Sequence, residues 1–485
     1  MGGGTNVVLV VADTTRYDDA LTAEVAPNIT ELGSKGTTFT QAISPAPWTL
    51  PSHGSLFTGT YPSKHGAHAG HERLEDRYPT LPELFRSAGY DTAGVSGNTW
   101  VSQEGGFARG FDEFHQTWQF VQSETAMGEL VEVTEESRVR AVGRKLFDGN
   151  PLTNAANAVY RTLVRERGDE GAERATDWIE NWVGERDGDD PFFLFANYLE
   201  PHLEYRPPKR LAERFLPDGV SYAEAMDVPQ EPWEYLAGTL ELSDRDLTVL
   251  RALYRAEIAY LDEHVGRVRD ALKAAGEWDD TVFVLVGDHG ENLGEHGLMD
   301  HQYCLYDTLL HVPLVASGGA FDGRGEDDRL VSLADVAPTL LDAADVPATT
   351  ARREFQGQSF HPDADAERHE YVFAEYVQPQ PSMEALEEHV DDLPAHVYEY
   401  DRSLRAVRSS EFKFVRGSDG SRQLYDVVDD PGETNDLVRQ RPERADSMET
   451  VLDDWLRSFE SADTDADVAI EGDRKAQLEQ LGYLQ

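Results

Sequence analysis

The sequence predicts an α/β fold, in which a large, mostly parallel sheet is sandwiched by helices and a smaller C-terminal α+β subdomain follows. Three continuous apolar runs, at residues 6–12, 191–197 and 281–287, predict strands. Runs without polar alternation are typical of strands buried on both faces of a parallel sheet. Residues 250–275 carry apolar side chains at helical spacing and stop at Gly276. Strands that alternate with helices indicate the α/β class.

Two domains are predicted from the change in composition along the chain. The larger domain spans residues 1–365, and the subdomain spans residues 366–485. A further helix is predicted at residues 333–344 of the larger domain, with Pro338 near a turn or kink. The less regular stretch at 121–167 is interpreted as an insertion that could cap a site.

The subdomain is predicted to contain a small antiparallel sheet closed by a helix. Short runs of alternating polarity predict its strands. A stretch that contains proline and many acidic residues, at 378–401, favours a loop or insertion instead. The predicted strands cover residues 371–376, 403–409, 412–416 and 423–426, and the closing helix covers residues 442–459.

Net charge is the unusual property of this sequence. The chain has 91 Asp and Glu residues against 43 Lys and Arg residues, which gives a formal net charge of -48. Such a field repels nucleic acids and anionic membranes, so neither is an expected partner. The carboxylates are scattered along the chain, which suits a protein that stays soluble at high salt. We therefore expect a halophilic source, such as a haloarchaeon, and an ordinary acidic mesophilic protein is the alternative.

Cysteine content and hydropathy give further expectations. Cys304 is the single cysteine, so an intramolecular disulfide is excluded, and we interpret it as a buried apolar residue. The N-terminus shows no secretory pattern, and no apolar run reaches the roughly 18 residues that a membrane span requires. The expected location is the cytoplasm, unless a leader has been removed, and no membrane span is expected.

A possible nucleophile lies in the segment 47–59, PWTLPSHGSLFTG. Thr49 precedes Pro51, and proline is favoured in the first turn of a helix. A short helix from about Ser52 would place Thr49 at its N-terminus, where free N–H groups and the helix dipole favour anions. The Thr49 hydroxyl could then attack phosphorus or sulfur if a metal lies close by. The alternative is that Thr49 only caps the helix.

A metal site is predicted where two of the strands end. Asp288 and His289 follow the strand at 281–287, and a carboxylate beside an imidazole suits a divalent cation. Asp13 follows the first strand and could supply a third ligand, with the Thr49 oxygen as a fourth. Doubly wound sheets carry their sites at the carboxyl ends of such strands.

Together these motifs resemble the sulfatases of the alkaline phosphatase superfamily, and the resemblance runs nearly end to end. Residues 6–16 (NVVLVVADTTR) resemble the first metal motif of the family, and residues 49–66 resemble the signature that holds the nucleophile. Residues 200–202 (EPH) resemble a turn that bears a histidine. Residues 287–297 (GDHGENLGEHG) resemble the second metal motif, and residues 424–433 resemble the C-terminal subdomain.

Several residues depart from the sulfatase pattern. The signature of a sulfatase begins with Cys or Ser, which is oxidised to formylglycine, whereas this chain has Thr49, so no formylglycine is expected. The signature arginine is His53 here, and the second N-terminal ligand, commonly Asp, is Thr14. The Lys-x-His motif of the family is replaced by residues 96–100 (SGNTW). This set is closer to the threonine-nucleophile phosphodiesterases and transferases of the superfamily.

The resemblance implies a covalent Thr49 intermediate at one divalent metal ion, which could be calcium, manganese, zinc or magnesium. The implied metal ligands are Asp13, Thr14, Thr49, Asp288 and His289.

Histidines are the candidates for acid–base chemistry, since a leaving alcohol needs a proton near neutral pH. His202 and His301 are the preferred pair, and His53 is a further catalytic candidate. His65 and His296 are interpreted as supporting or packing residues.

These observations predict a metal-dependent hydrolase of a sulfate or phosphate ester, with phosphodiesterase activity included. The expected substrate is a small-molecule, glycan or lipid-head-group ester. Two alternatives stay open: a transferase that moves phosphoethanolamine or glycerol phosphate, and a non-catalytic binding protein that kept the fold. The sequence does not predict the oligomeric state.

Overall fold

The structure of the protein is a computed structural model, and it describes residues 4–118, 169, 171–186, 188, 190–390 and 392–462. The predicted insertion at 121–167 lies outside the described residues. The expected α/β architecture is confirmed: a central sheet of eight strands has an apolar cluster on each face, and a smaller antiparallel sheet follows.

The central sheet is accompanied by a separate hairpin of two short strands. The bounds in chain order are β1 Asn6–Ala12, β2 Thr37–Ile43, β3 Asp91–Ser96, β4 Glu113–Gln116, β5 Phe192–Tyr198, β6 Thr281–Gly287, β7 Asn292–Leu293, β8 Met299–Asp300, β9 Leu314–Ser317 and β10 Gly325–Ser332. The sheet order is β10-β2-β9-β6-β1-β5-β3-β4. Only β9 runs antiparallel to its neighbours among these eight strands. The three strands predicted from apolar runs, β1, β5 and β6, are adjacent at the centre.

Helices connect and cover these strands. In the described residues the α-helices are α1 Tyr17–Ala20, α2 Pro27–Lys35, α3 Thr49–Thr58, α4 Pro62–His65, α5 Leu81–Ser87, α6 Ala172–Glu185, α7 Lys209–Phe215, α8 Tyr222–Met226, α9 Pro232–Ala237, α10 Asp244–Ala275, α11 Asp307–Leu310, α12 Val336–Ala343, α13 Met383–His389 and α14 Pro442–Arg457. The helix predicted at 250–275 is confirmed as most of α10, which begins six residues earlier at a capping box on Ser243. The helix predicted at 333–344 is a 3-10 turn followed by α12, and Pro338 lies in the first turn of α12, where proline is tolerated.

Strand β1 explains why the apolar runs lack polar residues. The side chains from Val7 to Ala12 are all 0 % exposed, and alternate ones pack into the clusters on opposite faces of the sheet. Full burial of one Val or Leu side chain stabilises the fold by about 1.5–3 kcal/mol. A polar residue inside the run would lose this contribution, so the polar residues Asn6 and Asp13 lie at the start of β1 and directly after it.

The C-terminal part is a four-stranded antiparallel sheet with a helix packed on it. The strands, in sheet order, are β11 Val372–Tyr376, β12 Leu404–Arg408, β13 Phe412–Gly417 and β14 Arg422–Asp426. Helix α14 packs through Ala445, Met448 and Leu452. The four predicted strands and the closing helix are confirmed with small shifts of their ends, and the domain boundary at residue 365 stays a prediction.

The prediction of a loop or insertion at 378–401 is wrong for part of this stretch. This stretch contains α13 and a 3-10 turn at Val397–Tyr400. Ser382 caps α13 by accepting a hydrogen bond from the N–H of Ala385, and Leu386 buries its side chain completely. One cap and one apolar anchor are enough for a two-turn helix, although neither gives a periodic pattern.

A buried lysine joins the two parts of the chain. Lys413 on β13 is 0 % exposed, and its Nζ lies 2.8 Å from Asp307 Oδ1 and 2.5 Å from Glu433 Oε1. Arg408 on β12 adds a contact of 3.0 Å to Asp307 Oδ2. Asp307 begins α11 in the larger domain, so charges that are shielded from water hold the small sheet against it.

Candidate active site

The carboxyl ends of neighbouring strands bring the polar residues of the site together. Asp13 follows β1, and Asp288 and His289 follow β6. Asn197 lies near the end of β5, and Asn98 lies two residues beyond β3. All five side chains are 0 % exposed. The predicted grouping of Asp13 with Asp288 and His289 is therefore present as geometry, at the edge where open α/β sheets carry their sites.

Thr14 turns the chain after β1, and hydrogen bonds to Asp288 then join this turn to the end of β6. Its φ of 49° lies in the left-handed region, which is uncommon for threonine. The Thr14 N–H donates to Asp288 Oδ1 at 3.1 Å, and the His289 N–H donates to the same oxygen at 2.9 Å. Thr14 Oγ1 is buried and forms no hydrogen bond within the described residues.

Thr49 is the first residue of α3, and the N-cap position belongs to Trp48. The interpretation of Thr49 as a cap is therefore wrong, and the helix begins three residues before the predicted start at Ser52. Pro51 fits inside the first turn because the N–H groups there have no partner in the helix. Thr49 Oγ1 instead lies 3.3 Å from His289 Nε2 and 3.2 Å from Asn98 Nδ2.

Each aspartate of the pair uses one oxygen for the protein and leaves the other facing His289. Asp13 Oδ2 accepts a hydrogen bond, whereas Asp13 Oδ1 accepts none within the described residues and lies 3.8 Å from His289 Nε2. Asp288 Oδ2 likewise accepts no hydrogen bond from the part of the chain that the structure describes, and it lies 3.4 Å from the same nitrogen and 3.4 Å from His53 Nδ1. Buried polar atoms are rarely left this way, and such a point of convergence is what a cation fills.

The tautomer of His289 follows from its neighbours. His289 Nδ1 lies 2.9 Å from the carbonyl oxygen of Gly290, which can only accept, so Nδ1 carries the hydrogen. The lone pair of the neutral ring is then on Nε2, which faces Thr49 Oγ1. Burial lowers the pKa of His289 to about 3, against the opposing effect of Asp288, so the neutral ring is the stable form.

The two carboxyl groups do not ionise independently. Burial, and then the neighbouring charge of Asp288, raise the pKa of Asp13 well above its usual range. Burial acts against ionisation of Asp288 as well, but His289 and His53 outweigh it and lower the Asp288 pKa. Two buried carboxylates, an imidazole nitrogen and hydroxyl oxygens suit a divalent cation, which would allow both acids to ionise.

Besides Asn197, sequence analysis missed Asn98. Its Nδ2 donates to Asp13 Oδ2 at 2.7 Å as well as to Thr49 Oγ1. Asn197 supports it, since Asn197 Oδ1 accepts from the Asn98 N–H at 3.2 Å. The stretch 96–100 was noted only for lacking a family motif, and its position just after a strand was the signal that could have identified Asn98.

His53 lies one turn after Thr49 on α3. Its Nδ1 is 3.1 Å from the Thr49 carbonyl oxygen and 3.4 Å from Asp288 Oδ2, and its Nε2 is 3.5 Å from Asn197 Nδ2. The ring is 0 % exposed. The structure thus places His53 beside Asp288, with its ring fixed to the backbone of α3.

His202 and His301, the preferred acid–base pair, are brought together beside His289. The ring centroids of His202 and His301 are 5.3 Å apart, and those of His289 and His301 are 4.6 Å apart. His301 Nδ1 lies 2.5 Å from Asp300 Oδ1 and 3.5 Å from Glu291 Oε1. Glu291, Asp300 and His301 form a second group of possible metal ligands. In its protonated form, His301 can itself supply the positive charge that the two carboxylates need.

The two histidines have opposite tendencies to hold a proton. Burial opposes protonation of His301, but Asp300 and Glu291 outweigh it and raise the His301 pKa well above its usual range. Burial, followed by the charge of His301, lowers the pKa of His202 to about 4. An acid and a base whose environments separate their pKa values in this way are typical of catalytic pairs.

The remaining residues singled out in the sequence have packing contacts. His65 packs on α3 with its Nε2 3.2 Å from Ser55 Oγ, and His296 stacks on Tyr306 with ring centroids 3.7 Å apart. Cys304 is buried, and burial raises the pKa of its thiol to about 11.

Comparison with known proteins decides the family. The sequence profile of the sulfatase family matches residues 5–346, and the C-terminal profile of N-sulphoglucosamine sulphohydrolase matches residues 294–460. The chain belongs to the sulfatase family. This sulfatase-family chain is 23 % identical over 484 residues to arylsulfatase K of Bos taurus, across 94 % of its own length and 81 % of that protein.

Solved structures agree on the fold. The 2-O GAG sulfatase BT1596 superposes with a TM-score of 0.65 at 18 % identity, over 97 % of each chain. The phosphonate monoester hydrolase of Agrobacterium radiobacter superposes with a TM-score of 0.66 at 20 % identity, over 94 % of this chain and 96 % of that one.

Family membership makes the protein a sulfuric or phosphoric ester hydrolase. Sulfatases generally bind a divalent metal, and the group of Asp13, Asp288 and His289 has the composition for one. Within the described residues, no helix is both long and apolar enough to cross a membrane.

Proposed function

We propose that the protein cleaves a sulfate or phosphate ester by transferring the acid group first to Thr49 Oγ1 and then to water. One observation carries the proposal: the Thr49 hydroxyl, His289 Nε2, Asp13 Oδ1 and Asp288 Oδ2 converge on one buried point, and neither carboxylate oxygen accepts a hydrogen bond within the described residues. A hydroxyl beside a set of cation ligands is the arrangement that covalent catalysis of ester transfer needs.

Asp13, Thr14, Asp288 and His289 would hold the cation, with Thr49 Oγ1 beside it. A bound divalent cation supplies positive charge, which lowers the pKa of a neighbouring hydroxyl and offsets charge on the transferred group. Imidazole favours zinc, whereas carboxylates suit calcium, magnesium or manganese, so the experiment below tests each metal. The proposal needs no formylglycine, because threonine attacks through its own hydroxyl.

The chain itself supplies the nucleophile and a place for negative charge. Thr49 Oγ1 forms the bond to phosphorus or sulfur while the bond to the leaving oxygen breaks, and the hydroxyl proton passes to solvent. The N-terminus of α3 lies at Thr49, and the positive end of the helix dipole favours the anionic group in transfer.

His301 and His202 complete the proton transfers in this proposal. His301, held by Asp300 and Glu291, donates a proton to the leaving alcohol. When water attacks the Thr49 ester, His202 accepts a proton from that water, while the freed Thr49 oxygen takes up a proton from solvent and becomes a hydroxyl again. His202 then returns its proton to His301, whose ring centroid lies 5.3 Å away. The close approach of the Leu203 carbonyl to His202 Nδ1 keeps the hydrogen there, so Nε2 is the accepting atom.

Relatives on this fold support both sulfate and phosphorus esters as substrates. One structural neighbour is a 2-O GAG sulfatase and another is a phosphonate monoester hydrolase. We propose an ester of a glycan, a small molecule or a lipid head group, handled in a saline medium that the charge of -48 favours.

The test compares three p-nitrophenyl compounds, in high salt and with each of the four metals supplied in turn: the sulfate, the phosphate monoester and a phosphate diester. Thr49→Ala removes the hydroxyl and should abolish turnover. Thr49→Ser is the matched control, because it keeps the hydroxyl and should retain measurable activity. Acid-quenched enzyme should carry the transferred group on the peptide that contains Thr49, as read by mass spectrometry.

The outcomes separate the alternatives. Diester turnover that depends on Thr49 supports phosphorus chemistry, and sulfate turnover that depends on it supports sulfuryl transfer. Full activity of Thr49→Ala would refute the covalent step. Metal binding without turnover of any ester would favour a transferase that needs its own acceptor, or a binding protein.

A further inference from the structure

We propose that Asn98 is a positioning residue that holds the nucleophile and a cation ligand in register through a single amide group. This inference deepens the proposed function, because it rests on the roles proposed for Thr49 and Asp13. The geometry is direct: Asn98 Nδ2 lies 2.7 Å from Asp13 Oδ2 and 3.2 Å from Thr49 Oγ1.

The orientation of the Asn98 amide follows from its surroundings. Asn98 Oδ1 accepts a hydrogen bond from the N–H of Trp100 at 2.9 Å, so the oxygen is on that side and the NH₂ group faces the site. The NH₂ group has two hydrogens, and it faces two acceptors on separate elements, Asp13 after β1 and Thr49 on α3. One planar group thus sets the distance between a strand end and a helix start.

Asn98 is itself held firmly. Its N–H lies 3.1 Å from Ser96 Oγ and 3.2 Å from Asn197 Oδ1, and its side chain is 0 % exposed. Ser96 Oγ also donates to Asn197 Oδ1 at 3.2 Å. The turn after β3 is therefore fastened to β5, so the amide cannot follow a displaced Thr49 without breaking buried hydrogen bonds.

The neutrality of the amide has a consequence for both partners. By donating to Asp13 Oδ2, Asn98 satisfies one oxygen and leaves Oδ1 to face His289, without removing the negative charge that attracts a cation. By donating to Thr49 Oγ1, it occupies one lone pair and directs the hydroxyl hydrogen elsewhere. Hydrogen-bond partners of metal ligands typically contribute about 10–100-fold in metal affinity or activity.

The test uses Asn98→Asp, which keeps the shape but replaces the donor by an acceptor, and Asn98→Ala, which removes the group. For both, we expect kcat to fall about 10–100-fold at saturating metal, with a smaller change in KM. Mn²⁺ titrated calorimetrically into the metal-free protein should bind more weakly to Asn98→Ala. Asn98→Asp should lose activity more severely than Asn98→Ala, because its carboxylate faces Asp13.

Asn6→Ala is the matched control. Asn6 is a buried asparagine at the opposite end of β1, bonded to Glu277 and to the N–H of Phe192, so its loss should lower stability and leave kcat and Mn²⁺ affinity unchanged. If Asn98→Asp does not fold, Asn98→Ser and Asn98→Ala carry the test, with thermal melting as the check of folding.

Two results would overturn the inference: wild-type kcat and Mn²⁺ affinity in folded Asn98→Asp, or equal losses in the Asn6→Ala control. Failure of the proposed function has a different signature. If Thr49→Ala stays active while Asn98→Ala weakens Mn²⁺ binding, the covalent step is wrong and the tie between Asn98 and Asp13 is retained.

Discussion

At the scale of residues, Asp13 and Asp288 create a conflict that a cation would resolve. Both side chains are 0 % exposed, and each has one oxygen that accepts no hydrogen bond from any residue that the structure describes. Taking carboxylates out of water is costly unless each is paired. Without a cation, this corner of the fold is therefore a source of instability.

Asp13→Asn tests this conflict directly. In the presence of a chelator, the substitution should raise the free energy of unfolding by about 1–3 kcal/mol, because a neutral amide replaces a buried acid and can still accept from Asn98. The same variant should lose the stabilisation that Mn²⁺ gives to the wild type, since binding to the native state is linked to stability. Thermal melting with and without Mn²⁺ measures both effects.

Asp262→Asn is the control for this experiment. Asp262 is equally buried, but its oxygens accept hydrogen bonds from the N–H groups of Asn28 and Ile29 at the start of α2. Its replacement should lower stability with and without metal. A loss of stability in metal-free Asp13→Asn would contradict the interpretation.

Sequence reasoning identified only part of this site, and the reason is physical. Asp13, Asp288 and His289 are recognisable because each directly follows an unbroken apolar run. Asn98 belongs to the same place, but β3 contains Thr92 and Gly94 and its run is short, so the strand end that would point to Asn98 is a much weaker signal in the sequence. The contact from Asn98 to Asp13 spans 85 residues of sequence, and only the order of the strands brings it about.

At the scale of elements, α3 is positioned by close packing. Every residue of α3 is buried, and Gly54 lies against the ring of His65. A β-carbon at Gly54 would come within 2.6 Å of His65 Cε1. The fit of this helix against His65 therefore sets where Thr49 stands.

Gly54→Ala should lower both stability and activity, although alanine is the better helix former. Overpacking costs typically about 1–3 kcal/mol, which exceeds the gain in helix propensity of about 1 kcal/mol. A shift of α3 would also move Thr49 away from its partners. Melting temperature and kcat on the preferred ester measure the two losses.

Gly184→Ala provides the opposite case. Gly184 is an exposed position of α6, and a β-carbon there would meet no atom within 4 Å. This variant should be stabilised by about 0.4–1 kcal/mol with unchanged kcat. Equal behaviour of the two variants would show that the contact with His65 does not position α3.

Elements with strong periodicity were the ones that the sequence predicted. The long helix α10 and strands β1, β5 and β6 have unbroken patterns. Helix α13 was mistaken for a loop because its seven residues, MEALEEH, include three glutamates and only one fully buried side chain. Its stability comes from packing against the rest of the fold, which the local sequence does not display.

At the scale of the whole molecule, the formal net charge of -48 destabilises the folded state through repulsion between the carboxylates. Like charges held on a compact surface repel one another more than they do on an extended chain. Salt reduces this repulsion, since the Debye length falls to about 3 Å at 1 M. The folded state should therefore depend on ionic strength.

The melting temperature should rise steadily as KCl is increased from about 0.1 to about 2 M, because added ions screen the surface carboxylates at separations beyond the Debye length. Sorbitol at matched osmolality is the control, because it is uncharged and acts only through exclusion from the surface. An equal rise in sorbitol, or no rise in KCl, would refute screening as the cause. Differential scanning fluorimetry on the metal-loaded protein provides the measurement.

Lys413, the buried lysine between the two parts of the chain, limits which C-terminal parts could replace the present one. Lys413 belongs to the small sheet, whereas Asp307, which it neutralises, belongs to the larger domain. A chimera that exchanges the C-terminal part for one without a cation at this position would leave Asp307 buried beside Glu433 or its substitute. Breaking a buried ion pair costs about 3–5 kcal/mol. We therefore expect a grafted C-terminal part to fold against the larger domain only if it brings a cation that can replace Lys413 beside Asp307.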